Sequence, residues 1–239
     1  MRTLLVIPLD RADEVPIARY NVQAAHARRG AWLLLDLRSA TDLSEQQDEL
    51  VDEFRATAEG NDQEFAVLGA PAAGGEGVRH YADLAEAMRG LAPEDLLPYE
   101  VELVLPSRLE DLPAVRSFLA ETASRLHPQA ADFQLAMLVD EICQNAIQNS
   151  PSNKSHYEVL FRTDAERVRL EVTNQAAESF PPERIMQRRL DSFDDSGDYL
   201  GDRGRGLFLI ARLADEMDIR AAGEERITVS VTKKVTAAD

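Results

Sequence analysis

Phe133–Ser150 reads FQLAMLVDEICQNAIQNS, and this segment decides how the second half of the chain is interpreted. Taken at 100° per residue, its apolar side chains form a single stripe, which predicts an amphipathic helix with one buried face. The polar residues Glu141, Asn145 and Asn149 follow one another at intervals of four along the edge of that stripe. One interpretation is that they form the exposed flank of a core helix. The other is that they are buried and pair with an ion, a water or a phosphate, because burying polar side chains without partners is costly. The predicted stripe consists of Leu135, Leu138, Val139, Ile142 and Ala146.

A second informative segment, Gly201–Ile210, reads GDRGRGLFLI and begins sixty residues after Glu141. Its glycines lead into an apolar run that predicts a helix, and the backbone N–H groups at a helix N-terminus bind phosphate. Arg203 and Arg205 could add charge-assisted contacts. A helix-borne carboxylate can act as a general base, and an amide oxygen one turn later can ligate magnesium. In chain order, these segments supply the parts that a Mg-ATP site requires.

With these two motifs, the chain from about residue 99 to residue 234 resembles the GHKL or Bergerat ATP-binding domain, also called HATPase_c. In detail it resembles the bacterial anti-sigma-factor serine kinases. VDEICQNAIQNS is similar to that family's N-box, and GRGLFLIARLADEMDI is similar to its second glycine box. The resemblance implies that Glu141 is the catalytic base and that Asn145 is the magnesium ligand. It implies ATP as the cofactor, bound by Asn145, Asn149, Asn174, Arg203, Gly204, Arg205, Gly206 and Leu207.

The adenine side departs from the family pattern. The family carries an aspartate followed by glycines at the end of the second hairpin strand, whereas this chain reads VTNQAAES. Asn174 replaces the aspartate, and Ala176 and Glu178 replace the glycines. Asn174 can still accept a hydrogen bond from the adenine amine, but the loss of charge costs on the order of 1 kcal/mol. Three functions therefore remain open: an ATP-dependent protein serine kinase, a non-catalytic protein-binding module with a degenerate nucleotide site, or an ATP-binding domain that hydrolyses or senses ATP without a protein substrate.

The pattern of the second half predicts an α+β two-layer sandwich, with helices on one face of an antiparallel sheet. A hairpin with strands at His156–Arg162 and Arg167–Asn174 is the strongest local signal. The other predicted strands are Tyr99–Leu105, Glu216–Ala221 and Arg226–Lys234, and the predicted helices are Leu109–Leu126, Gln129–Asn149 and Arg205–Ala214.

The first half alternates between strand and helix patterns, which predicts an α/β domain with a parallel or mixed sheet. The strands are Thr3–Leu9, Ala31–Leu37 and Phe65–Gly69, and the helices are Glu14–Arg29, Ser44–Glu59 and Val78–Leu91. The predicted domains are 1–91 and 99–239, with a linker at 92–98.

The segments LLVIPLD and AWLLLDLRSATDLS resemble the STAS domain of anti-sigma-factor antagonists. In that family a phosphorylatable serine begins the helix after the second segment, and here the position falls on Ser44 and Glu45. Ser44 is then a phosphorylation target, or Glu45 is a fixed acid that imitates part of a phosphate's charge. The remaining alternative is that Ser44 only caps its helix.

Composition limits the partners. The 239 residues include 26 basic and 43 acidic side chains, a net charge of −17, which disfavours binding to nucleic acid or to an anionic membrane. No apolar run approaches the roughly 18 residues that cross a bilayer. Cys143 is the single cysteine, so the chain cannot form an internal disulfide. A cytoplasmic location is therefore expected. The resemblances imply a partner-switching regulator that binds a sigma factor or an anti-sigma antagonist. For the binding-module alternative they imply regulation in cis by the STAS-like domain. A homodimer is also expected.

Overall fold

The computed structural model describes residues 2–9, 15, 18, 31–40, 47–69, 77–91, 100–126, 133–151, 155–164, 166–175, 205–222 and 226–234. They belong to two compact units, which divide after Pro106. Several residues that the sequence singled out lie outside the described ranges. These are Ser44, Glu45, Ala176, Glu178, Arg203 and Gly204.

The first unit is a parallel sheet with helices. Its strands are β1 (Arg2–Pro8), β2 (Trp32–Asp36), β3 (Glu64–Leu68), β4 (Arg79–Tyr81) and β5 (Glu100–Pro106), and its helices include α1 (Gln47–Gly60) and α2 (Leu84–Leu91). The strand order is β4-β3-β2-β1-β5. The pairings β1–β2, β1–β5, β2–β3 and β3–β4 are all parallel, as the predicted parallel or mixed sheet allows. All five residues of β2 are buried, as expected for a parallel strand covered on both faces.

The predicted helix over residues 78–91 is wrong at its start. Arg79–Tyr81 forms a short strand beside β3, and α2 begins only at Leu84. Two hydrogen bonds fix that start: the N–H of Glu86 donates to Oδ1 of Asp83 at 2.8 Å, and the N–H of Ala82, one residue before Asp83, donates to Oε2 of Glu86 at 2.7 Å. The first is the N-cap bond of a capping box, whereas the second bond of a full capping box would come from the N–H of Asp83 itself.

The strand β5 was expected to begin the second domain, but it pairs with β1 in the first unit. The register runs from Arg2 opposite Val101 to Leu5 opposite Val104. Oγ1 of Thr3 also donates to Oε2 of Glu102 at 2.9 Å. An alternating apolar pattern predicts that a strand forms, but it does not specify the sheet edge that the strand joins.

The second unit combines helices with an antiparallel sheet, as predicted. A 3-10 turn (Leu109–Asp111) precedes α3 (Leu112–Leu126), α4 (Phe133–Gln148), β6 (His156–Thr163), β7 (Arg167–Gln175), α5 (Arg205–Leu213), β8 (Glu216–Ala221) and β9 (Arg226–Lys234). The strand order is β6-β7-β9-β8. The hairpin β6–β7 is antiparallel, which confirms that prediction. The helices α3 and α4 pack against the sheet, whose buried face includes Tyr157, Val159, Phe161, Leu170 and Val172. Within the described ranges, no helix is long and apolar enough to span a membrane.

Asp215, just before β8, connects the last two strands. Its Oδ2 accepts the backbone N–H of Lys234 at 2.7 Å and lies 3.4 Å from Nζ of Lys233. The hydrogen bond from Lys234 is the main reason that the pKa of Asp215 lies below its ordinary value of 3.8, and the charge of Lys233 acts in the same direction.

We therefore expect Asp215→Asn to lower the melting temperature at pH 7 but to have less effect in acid. Because the folded-state pKa is depressed, the carboxylate stabilises the fold above about pH 3.8 and loses this contribution as pH falls through the folded-state pKa. Thermal denaturation of both proteins between pH 7 and pH 3 measures the difference. A difference that stays constant over this range would contradict the assignment.

Candidate functional site

The helix α4 positions the first two members of the polar row. Every residue of the predicted apolar stripe is buried, which confirms that part of the sequence analysis. Glu141 and Asn145 lie one turn apart at the edge of the stripe and are half-buried. Cys143 is fully buried, and this burial raises the pKa of its thiol far above the ordinary value. The thiol is therefore a small core group, and the polar chemistry of α4 lies on its Glu141 edge.

The first turn of α5 brings Gly206 against these two side chains. A Cβ placed on Gly206 would lie 2.7 Å from Oε2 of Glu141 and 3.0 Å from Nδ2 of Asn145. The first distance is shorter than real Cβ contacts, so glycine allows an approach here that a side chain would prevent. One turn later, Ile210 is fully buried and anchors α5. Two motifs that are sixty residues apart in the chain thus meet at one point.

This meeting point combines three groups that suit an anionic ligand and a cation. Nδ2 of Asn145 is buried and has no hydrogen-bond partner among the described residues. Such an atom costs about 1–3 kcal/mol unless something binds it. The N-terminus of α5 adds backbone N–H groups without helical partners and a partial positive charge. The carboxylate of Glu141 lies beside both.

These residues fit Mg-ATP. Magnesium prefers oxygen ligands, and Oδ1 of Asn145, 3.4 Å from the Cβ position of Gly206, can supply one. The N–H groups of the first turn of α5 can hold phosphate oxygens. In the part of the chain that the structure describes, no group of three or more His, Cys, Asp or Glu side chains could hold a metal ion. A cation at Asn145 would draw further oxygen ligands from the nucleotide and from water.

Asn149, the third residue of the row, serves its own helix. It is exposed, and its Nδ2 donates to the backbone carbonyl of Asn145 at 2.7 Å. The same carbonyl also accepts the backbone N–H of Asn149 at 3.1 Å, so the side chain adds a second hydrogen bond to it at the end of α4. Glu141 and Asn145 therefore lie next to Gly206, whereas Asn149 hydrogen-bonds to the end of its own helix.

The predicted adenine end lies on β7. Asn174 is 7% exposed, sits opposite Tyr157 of β6, and donates its Nδ2 to the carbonyl of Gln175 at 3.0 Å. This bond uses one of the two N–H donors of the amide, and the amide oxygen is the atom that can accept a hydrogen bond from a ligand. The hydroxyl of Tyr157 is buried without a partner within the described ranges, and burial raises its pKa well above the ordinary value. Both groups are neutral where the resembled family has a charged aspartate.

The nucleotide-binding residues expected on α5 are only partly described. Gly206 and the half-buried Leu207 lie in its first turn, and Arg205 is its first residue, with an undescribed side chain.

An ion pair beside Glu141 was not anticipated from the sequence. Nη1 of Arg116 on α3 lies 2.7 Å from Oδ2 of Asp140, the residue immediately before Glu141. The other oxygen of Asp140 is buried and has no partner among the described residues. This pair ties α3 to α4 next to the proposed base. Its two members are 24 residues apart on different helices, a separation at which sequence gives no pairing signal.

Comparison with protein families identifies the second unit. Residues 105–233 match the family described as a histidine kinase-like ATPase domain. Two similar curated proteins are the serine-protein kinases RsbW of Bacillus velezensis and of Bacillus subtilis. They are 30% identical over 138 and 139 residues, which covers 56% of this chain and 84% of each relative. A solved structure of the mycobacterial sensor histidine kinase MprB is 14% identical and covers 55% of this chain and 97% of its own, with a TM-score of 0.34. That score is too low to support an argument.

Proposed function

Because the chain belongs to the family of histidine kinase-like ATPase domains, we propose that its second unit binds Mg-ATP and transfers the γ-phosphate to a serine of a partner protein. The observation that carries this proposal is the contact of Gly206 with Glu141 and Asn145, which joins a carboxylate, an amide and a helix N-terminus. The relatives named as serine-protein kinases support the choice of acceptor.

In this mechanism Glu141 is the general base. Its carboxylate accepts the proton of the serine hydroxyl as the hydroxyl oxygen attacks the γ-phosphorus, and the bond from that phosphorus to the bridging oxygen of ADP breaks. Asn145 holds the magnesium ion, which when bound neutralises negative charge on the phosphates. The N–H groups of the first turn of α5 orient the phosphate oxygens. Positioning and charge stabilisation supply most of the rate in such transfers.

A second candidate is a non-catalytic protein-binding module. The neutral Asn174, whose amide nitrogen is engaged by the carbonyl of Gln175, favours it because the adenine contact is weaker than a charged one. In either case we propose, from the resemblances, a sigma factor or an anti-sigma antagonist as the partner, a cytoplasmic location and a possible homodimer. We also propose that the first unit is STAS-like and regulates the second in cis, where tethering gives it a high effective concentration.

Calorimetric titration with Mg-ATP separates the two candidates. We expect measurable binding that weakens when magnesium is removed with EDTA, since Asn145 then has no cation to hold. Absence of heat at millimolar Mg-ATP would refute the kinase proposal and leave the binding module.

Asn174→Asp tests the adenine side in the same experiment. Restoring a charged acceptor is expected to tighten Mg-ATP binding by about tenfold, which corresponds to roughly 1.4 kcal/mol. Unchanged affinity would show that Asn174 does not contact the base.

A further inference from the structure

The core-facing side of β7 changes from apolar to polar at its last inward position. Every second residue of a strand points to the same side, so Val168, Leu170, Val172 and Asn174 share one face of the sheet. The first three are buried apolar side chains, whereas Asn174 is an amide that is 7% exposed. The helix α4, which carries the proposed base and the proposed magnesium ligand, packs against β7. Asn174 therefore lies on the face of the sheet that the helices of the proposed nucleotide site cover.

The neighbours of Asn174 are aromatic or apolar and use little of its amide. Tyr157 on β6 and Ile227 on β9 stand opposite it. Within the described residues, its side chain makes a single hydrogen bond, from Nδ2 to the carbonyl of Gln175 at 3.0 Å. Its Oδ1 and its second N–H have no partner in that part of the chain, and leaving such buried groups unpaired costs about 1–3 kcal/mol. One polar group among aromatic and apolar side chains is the usual lining of a small-molecule site.

An amide recognises purine bases less selectively than a carboxylate does. It presents an acceptor and a donor side by side, whereas an ionised carboxylate presents acceptors only. A 6-aminopurine such as adenine offers a donor at its amino group and an acceptor at N1. A 6-oxopurine such as hypoxanthine or guanine offers the reverse, an acceptor at O6 and a donor at N1. The amide therefore complements both edges, whereas a carboxylate would leave O6 facing a negative charge.

From the amide edge of Asn174 we propose that the nucleotide site accepts 6-oxopurine as well as 6-aminopurine nucleoside triphosphates. This inference rests on the proposed function, in which the second unit binds a magnesium–nucleotide complex, and it adds which bases the site admits. The bond from Nδ2 to Gln175 favours the orientation in which Oδ1 accepts from an amino group. Turning the amide over for a 6-oxopurine breaks this bond, so we expect a preference for ATP of no more than about tenfold, the equivalent of one hydrogen bond.

Calorimetric titration of the full chain with ATP and with inosine triphosphate (ITP), each with magnesium, tests the proposal. ITP carries hypoxanthine on the sugar and triphosphate of ATP, so it differs from ATP only at N1 and C6 and lacks the additional 2-amino group of GTP. We expect the two dissociation constants to lie within about tenfold of each other in the original chain. In Asn174→Asp we expect their ratio to exceed about a hundredfold, because the carboxylate tightens ATP binding and repels O6. An unchanged ratio in this variant would contradict the proposal.

Thr173→Val is the matched control for β7. Thr173 precedes Asn174 in the strand and points to the opposite face, where its Oγ1 lies 2.7 Å from Oγ1 of Thr228. Valine has nearly the same shape as threonine, so we expect the ratio of the two dissociation constants to stay at the value of the original chain. A shift in this variant equal to that in Asn174→Asp would overturn the proposal, since the effect would then come from the strand and not from the amide.

The outcome for the original chain separates this inference from the function on which it rests. If the chain binds ATP but binds ITP more than about tenfold more weakly, the selectivity proposal is wrong and the proposed ATP binding stands. If neither nucleotide binds, the proposed nucleotide site is refuted, and this inference with it. If thermal denaturation shows that Asn174→Asp does not fold, Asn174→Ala replaces it. We expect Asn174→Ala to weaken the binding of both nucleotides by similar factors, and a loss for ATP alone would contradict the proposal.

Discussion

Glu141→Gln is expected to lower phosphoryl transfer by about a hundredfold to ten-thousandfold, the range of general-base contributions. Glutamine has nearly the same shape, so it can keep the position of Oε2 beside Gly206, but it cannot accept the proton of the attacking hydroxyl. The affinity for Mg-ATP is expected to stay within a few-fold, because Asn145 and the N-terminus of α5 are unchanged. Initial rates with γ-labelled ATP measure the transfer, whether to protein or to water, and calorimetry measures the affinity.

The adjacent carboxylate provides the control. Asp140→Asn removes the charge that pairs with Arg116 at 2.7 Å and leaves Glu141 intact. We expect this variant to keep most of its transfer activity and to lose some stability, since the ion pair joins α3 to α4. If Asp140→Asn lost more transfer activity than Glu141→Gln, Glu141 would not be the general base. Full activity in Glu141→Gln would remove Glu141 from the mechanism.

Gly206→Ala is expected to weaken nucleotide binding with little change in the stability of the fold. The added methyl group would lie 2.7 Å from Oε2 of Glu141, so the carboxylate must move. The nearest atoms are the far ends of side chains that can shift, so the overpacking cost is about 1 kcal/mol, and the better helix propensity of alanine offsets about as much. Urea denaturation measures the stability, and calorimetry with Mg-ATP measures the loss of affinity, which we expect to exceed about tenfold because Asn145 is displaced as well.

Gly60→Ala is the matched control for this substitution. Gly60 ends α1 in the first unit, and a Cβ placed there would have no atom within 4 Å. Alanine at such a position is expected to stabilise the chain slightly, by about 0.4–1 kcal/mol, through the unfolded state. If Gly60→Ala weakened Mg-ATP binding as much as Gly206→Ala does, the contact of Gly206 with Glu141 would not be the cause.

The second half was predictable because its patterns are strong. The apolar stripe of α4 extends over twelve residues and the β6–β7 hairpin alternates throughout, so periodicity alone separates helix from strand. By contrast, β4 has only three residues, too few to show a period, and it was absorbed into the predicted helix over residues 78–91. The strand β5 was recognised, but its pairing with β1 depends on tertiary structure.

The part of the site that lies within single elements could also be predicted from sequence patterns. The spacing of Glu141 and Asn145 follows from one helix, and sequence motifs placed Gly206 in the same function. Contacts that depend on two elements were missed, among them the Arg116–Asp140 pair and the convergence of three arginines on Glu171. Their members carry ordinary charges in ordinary elements, and only the packing of the helices and the register of the sheet bring them together. The part of Asn149 in nucleotide binding stays a prediction, because a fixed spacing of four does not distinguish a ligand-facing side chain from one that hydrogen-bonds its own helix, as Asn149 does here.

The glycine at the start of α5 also sets the phase of that helix against α4. If α5 were rotated by one residue in either direction, Arg205 or Leu207 would take the position facing Glu141, and the carboxylate of Glu141 would have to shift to make room for a Cβ. The rotation that brings Gly206 to the carboxylate also turns Ile210 into the core, one helical turn later. Gly206, which has no side chain, and the fully buried Ile210 together favour this rotation of α5 against α4.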